Sequence, residues 1–144
     1  MLRFFELDLK DEILKAVLDM GFEEATPIQE QAIPVALTGQ DVIGQAQTGT
    51  GKTAAFSIPF LQMVTEDPVL QVLILTPTRE LCIQVEKEVK KLSRYLNVRS
   101  VAVYGGQDIN RQIRIDRDAE QPCNDHAQRT GCKADDNSLG VEHT

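Results

Sequence analysis

The chain has 144 residues, enough for one domain with a single buried core and too few for two of ordinary size. Its 42% hydrophobic and 26% charged residues fit a soluble globular protein, and no apolar run approaches the roughly 20 residues that span a bilayer, which argues against a membrane helix. A net charge of -7 supplies no global attraction to nucleic acid, so any polynucleotide partner must be held by a local arrangement of donors.

The opening Met1-Leu2-Arg3-Phe4-Phe5-Glu6 turns acidic too soon for a secretion signal. Three cysteines at irregular spacing argue against a disulfide framework, so the expected compartment is the reducing cytoplasm. Cys82, inside an apolar helical stretch, is expected to be inert core.

Leu9, Ile13, Leu14, Val17, Leu18 and Met20 recur at helical spacing, and Gly21 supplies a stop, which predicts an amphipathic helix. Thr26-Pro27 opens a second helix, with Thr26 as N-cap and Pro27 in the first helical position; it runs through Ile28, Ala32 and Ile33, kinks at Pro34 and ends at Gly39. At Asp41 the pattern changes. Asp41 to Ala46 reads as a short strand, followed by a glycine-bearing loop and a helix from Lys52 to about Met63. Val69 to Leu75 is almost continuously apolar without alternation, as expected of a strand buried on both faces of a parallel sheet. A helix from about Arg79 to Leu96 and a strand from Val98 to Tyr104 complete another β-α-β unit. Gly105-Gly106 closes it, and Asp108 caps a short helix reaching about Ile115.

The segment Ala46-Gln47-Thr48-Gly49-Thr50-Gly51-Lys52-Thr53 carries the sharpest chemical signal. It meets the phosphate-loop pattern G-x-x-x-x-G-K-[ST] except that Ala46 stands at the first glycine. Gly49 and Gly51 let backbone N–H groups converge on phosphate oxygens, Lys52 brings a positive charge to the β and γ phosphates, and Thr53 offers a hydroxyl to Mg²⁺. The bland alternative, a glycine turn with a surface lysine, is weaker because the motif follows a predicted strand and opens a predicted helix. Nucleoside triphosphate binding, with ATP as the nucleotide, is therefore expected. Gln29 is a second candidate, since a carboxamide can pair with N6 and N7 of adenine. Pro77-Thr78-Arg79-Glu80 follows the apolar strand at its carboxyl end, where crevices of open parallel sheets lie. There Thr78, Arg79 and free N–H groups at a helix start suit a nucleic-acid phosphate, although a capped helix with an exposed arginine reads as well.

Together these pieces resemble the first domain of the DEAD-box RNA helicases over residues 4 to about 114. Phe4 with Gly21-Phe22-Glu23-Glu24-Ala25-Thr26-Pro27-Ile28-Gln29 looks like the adenine-reading glutamine motif and its upstream aromatic, and AQTGTGKT is that family's form of the phosphate loop. Pro77-Thr78-Arg79-Glu80-Leu81-Cys82-Ile83-Gln84 resembles its RNA-contacting PTREL motif, and Gly105-Gly106 its GG motif. The resemblance implies an α/β RecA-like domain with a parallel sheet covered by helices, ATP and Mg²⁺ as cofactors, and RNA as partner. The family's activity is ATP-dependent RNA remodelling.

The family's Asp-Glu-Ala-Asp motif, which holds Mg²⁺ and orients the attacking water, is not found in this sequence, nor are the Thr-Pro-Gly-Arg and Ser-Ala-Thr motifs or the second RecA-like domain. Asp135-Asp136-Asn137 is acidic but follows no apolar strand. The domain is thus expected to be incomplete, comprising residues 1–115, with ATP binding, weak RNA binding and no turnover. Residues 116–144, whose only large aliphatics are Leu139 and Val141 and which carry three basic and seven acidic side chains, are expected to be an aberrant or disordered tail outside the family pattern. Cys123, His126, Cys132 and His143 lack zinc-ribbon spacing and a packed shell, so no zinc is expected. Two other classes remain open at this stage: a truncated gene product without function, and a small non-hydrolysing nucleotide- or RNA-binding module.

Overall fold

Four helices form where local chain chemistry supports them, and their apolar faces meet in one core. The computed structural model describes residues 2–106. Helix α1 spans Asp11–Asp19, with Asp11 and Glu12 in its first turn, where the helix dipole favours negative charge, and it buries Ile13, Ala16 and Val17. Gly21, at φ 77, ends it as expected. Helix α2, Pro27–Leu37, starts at Thr26 with proline in the first turn and continues through Pro34; Gly39, at φ 78, follows it. Helix α3 is Lys52–Met63 and α4 is Arg79–Leu92.

The core joins Phe4, Leu9, Ile13, Val17, Ala25, Ile33, Ala54, Ile58, Leu61 and Leu92, so every helix contributes to it. Its closest helix pairing is α2 against α3, the two helices that flank the phosphate loop. Burying a side chain such as Ile58 or Leu61 contributes about 1.5–3 kcal/mol, so the helix that opens at Lys52 is anchored well behind its first turn. The far end of α3 is tied to the amino-terminal segment. Gln62 accepts from Lys10 N–H at 2.8 Å and donates to the Asp8 carbonyl at 3.2 Å, while Lys10 Nζ donates to the Val64 carbonyl at 2.9 Å. A polar cluster fastens α1 to the end of α4: the Tyr95 hydroxyl donates to Asp19, and Lys15 lies 4.2 Å from the Tyr95 ring centre. The Asp19 hydrogen bond raises the pKa of Tyr95 above its ordinary value.

The three segments expected as strands, 41–46, 69–75 and 98–104, are not paired with one another among the described residues; the single bridge there is antiparallel, between Arg3 and Glu24. The expectation of a strand covered on both faces does not hold for the apolar run, where only Val72 and Ile74 of residues 69–75 are half-buried. From 71 to 76 burial alternates, with Val72, Ile74 and Thr76 half-buried and Gln71, Leu73 and Leu75 exposed, the two-residue period of an extended chain. A strand requires a neighbour's N–H and C=O groups, and an apolar sequence cannot supply these by itself.

Helix α4 also stops earlier than its apolar spacing predicts. At Ser93 the helical ladder gives way to a turn in which Leu96 N–H donates to the Ser93 carbonyl, while Leu96 and Val98 still pack on the core. Cys82 is half-buried rather than core, and its thiol faces the Val103 carbonyl at 3.8 Å. Among the described residues no helix is long and apolar enough to cross a membrane. The short helix expected from Asp108 to about Ile115, the tail 116–144 with Cys123, His126, Cys132 and His143, and the Asp135-Asp136 pair lie outside the described residues.

Candidate phosphate-loop site

Residues 46–51 fold into a turn whose last residue, Gly51, caps α3, and Lys52 and Thr53 open the helix. Gly49 and Gly51 have φ 79 and 82, the left-handed region that a side chain disfavours. Ala46 needs no such angle, because no residue other than glycine has positive φ among those described, and this explains how alanine serves at the motif's first position. The loop is braced internally: Thr50 Oγ1 donates to the Gln47 carbonyl at 2.8 Å, and Lys52 Nζ donates back across the loop to the Ala46 carbonyl. Gln47, Thr48 and Gly49 are exposed at the tip, whereas Thr50, Gly51, Lys52 and Thr53 are half-buried. The exposed N–H groups thus stand at the amino end of a well-anchored helix, where the dipole favours an anion.

The glutamine motif is joined to this loop by direct hydrogen bonds. Gln29 Oε1 accepts from Thr26 N–H at 2.9 Å, and Nε2 donates to the Gly51 carbonyl at 3.1 Å. Thr26 Oγ1 donates to the Thr50 carbonyl at 2.8 Å. A methyl group on Gly51 would collide with Gln29 Nε2, so glycine is required here by close approach as well as by φ. Each end of the carboxamide keeps one further hydrogen-bonding valence, one acceptor pair and one N–H. Gln29 is 2% exposed, so a base reaches those valences only if its surroundings shift.

Phe4, the upstream aromatic of the glutamine motif, is 0% exposed and lies in the core with Ile13, Val17 and Ile33. Burial of a large aromatic in the core outweighs its exposure to solvent. Its backbone braces the glutamine motif: residues 2–4 run antiparallel to 23–25, with Ala25 N–H donating to the Leu2 carbonyl at 2.9 Å and a bridge between Arg3 and Glu24.

Pro77, Thr78, Arg79 and Glu80 are exposed at the start of α4, with Thr78 Oγ1 accepting from Leu81 N–H at 3.2 Å as a helix cap. Arg79 lies over the Tyr104 ring at 4.9 Å from its centre, which brings this turn beside Gly105-Gly106, where Gly106 has φ 82. Spacing in the sequence did not reveal either the Thr26 hydroxyl bond or the Arg79–Tyr104 pair. Both partners in each case are 24 or 25 positions apart, and no local periodicity links them.

The phosphate-loop motif and the likeness to solved DEAD-box structures together support an α/β RecA-like domain. The chain belongs to the DEAD/DEAH box helicase family, whose model matches residues 26–122. It is 57% identical over 114 residues to the ATP-dependent RNA helicase CshA of Limosilactobacillus reuteri, covering 78% of this chain and 23% of the relative. It is also 57% identical over 115 residues to the DEAD-box ATP-dependent RNA helicase CshA of Bacillus anthracis, covering 79% and 22%. The chain therefore spans less than a quarter of the length of these relatives. Among solved structures it resembles a DEAD box protein from the hyperthermophile Methanococcus jannaschii, with TM-score 0.73 and 43% identity over 79% of this chain and 32% of that one. The RNA-helicase Prp28 from Chaetomium thermophilum bound to ADP matches with TM-score 0.72 and 41% identity, over 78% and 29%.

Proposed function

We propose that residues 1–115 form the ATP-holding part of a DEAD-box RNA helicase domain, with residues 116–144 outside it, and that residues 46–53 with Gln29 bind the nucleotide. The observation that carries the reading is the Gln29 bond to the Gly51 carbonyl, which couples a base-reading carboxamide to a triphosphate-cradling loop. Loop residues 46–51 supply backbone donors, Lys52 meets the β and γ phosphates, and the ADP-bound relative supports a nucleotide in this fold. Thr53, a hard oxygen donor on the first turn of α3, would hold Mg²⁺, which would supply charge neutralisation of the triphosphate. Phe4 supports the adenine subsite from behind, through residues 23–25. The RNA backbone would be met weakly by Thr78 and Arg79, with Pro77 and Glu80 shaping the turn, and by Gly105-Gly106. The cytoplasm fits an RNA-directed protein of this class.

Base selectivity tests the reading. Gln29→Ala removes two hydrogen bonds to adenine, each worth about 0.5–1.5 kcal/mol, so preference for ATP over GTP should fall by roughly tenfold or more. A competition titration of labelled ATP against unlabelled ATP and GTP measures this ratio. An ATP/GTP ratio that is the same in wild type and variant would refute the assignment of Gln29.

A further inference from the structure

We propose that Tyr104 is a positioning residue for RNA: its ring holds the Arg79 guanidinium toward a phosphodiester of a single strand. The inference rests on the reading of the α4 start as an RNA-backbone contact, and goes beyond it by assigning a role to a residue outside every motif singled out in the sequence.

Two contacts on successive residues fix the first turn of α4 against the end of segment 98–104. Cys82 Sγ lies 3.8 Å from the Val103 carbonyl, and the Arg79 guanidinium carbon lies 4.9 Å from the Tyr104 ring centre. Arg79 is exposed and Tyr104 half-buried, so the ring gives the more enclosed surface and the arginine the one open to a ligand. A guanidinium over a ring engages its π face, leaving its in-plane N–H donors available in the fork geometry that matches phosphate. Tyr104 is followed directly by Gly105-Gly106, with Gly106 at φ 82, so the residue that meets the arginine adjoins the glycine turn in the chain. In a chain of net charge -7, a phosphodiester gains little from long-range attraction, and orientation of the few local donors decides affinity.

The test is a double-mutant cycle on the full chain with Mg-ATP, reading fluorescence anisotropy of labelled oligouridine across a salt series; helix content and melting temperature check that each variant is folded. Tyr104→Phe, which keeps the ring, should bind within twofold of wild type. Tyr104→Leu should weaken binding by roughly three- to fivefold, the size of an exposed cation–π contact. In an Arg79→Ala background the same substitution should change affinity by less than about 1.5-fold. Equal losses in both backgrounds, no loss in the presence of Arg79, or failure of phenylalanine to preserve binding would overturn the role of Tyr104. Arg79→Ala should itself flatten the salt dependence by about one released counterion. If it alters neither affinity nor salt slope, the RNA reading of this turn fails, and the role of Tyr104 with it.

Discussion

Lys52→Ala should lower the affinity for Mg-ATP by about 10- to 150-fold. A hydrogen bond from a charged donor contributes about 1.5–3 kcal/mol, and Lys52 is the ammonium that the loop directs across its own opening. In the structure Nζ donates to the Ala46 carbonyl, so binding exchanges one carbonyl acceptor for phosphate oxygens. The exchange is favourable because those oxygens are anionic. Fold should be retained: α3 is anchored by Ala54, Ile58 and Leu61, while Lys52 is half-buried at its start and belongs to no part of the core. Titration calorimetry with Mg-ATP, alongside thermal melts, separates the two effects. Unchanged affinity in a folded variant would rule out the phosphate-loop assignment.

The largest expected effect concerns turnover. This chain should release phosphate from Mg-ATP no faster than the Lys52→Ala variant, even with saturating RNA. Phosphoryl transfer requires the metal to be held, the water placed and the developing charge stabilised; residues 46–53 and Gln29 address only the first in part and the holding of the triphosphate. These 144 residues contain no Asp-Glu-Ala-Asp sequence to hold the metal and orient the water. RNA-stimulated release that disappears in the Lys52 variant would contradict this.

Much of the helical frame was legible because its signals are local. Thr26-Pro27, Gly21, Gly39 and the Gly51-Lys52 junction mark boundaries through backbone preferences that operate within a turn, and α2 and α3 begin where those residues place them. The family resemblance was equally legible, since its motifs are contiguous. The segments around Val69 to Leu75 were harder to read, because apolar composition states that a chain can be buried but not which neighbour covers it. Five of the seven residues of that run are exposed here. Phe4 shows the same limit: its motif position gives no sign that it shares a core with Ile13, Val17 and Ile33, which are distant in sequence. The link between Gln29 and Gly51 depends on the packing of α2 against α3, which no spacing rule encodes.

The central claim, that one loop and one carboxamide hold an adenine nucleotide, is tested most directly by following the amide signals of ¹⁵N-labelled chain during titration with Mg-ATP. The account predicts that Gly49, Gly51, Lys52 and Thr53 backbone signals and the Gln29 side-chain NH₂ move together along a single saturating curve, while signals of α1 and the Asp19–Tyr95 cluster stay in place. Saturable shifts confined to other surfaces, or loop shifts that leave the Gln29 carboxamide unmoved, would contradict it.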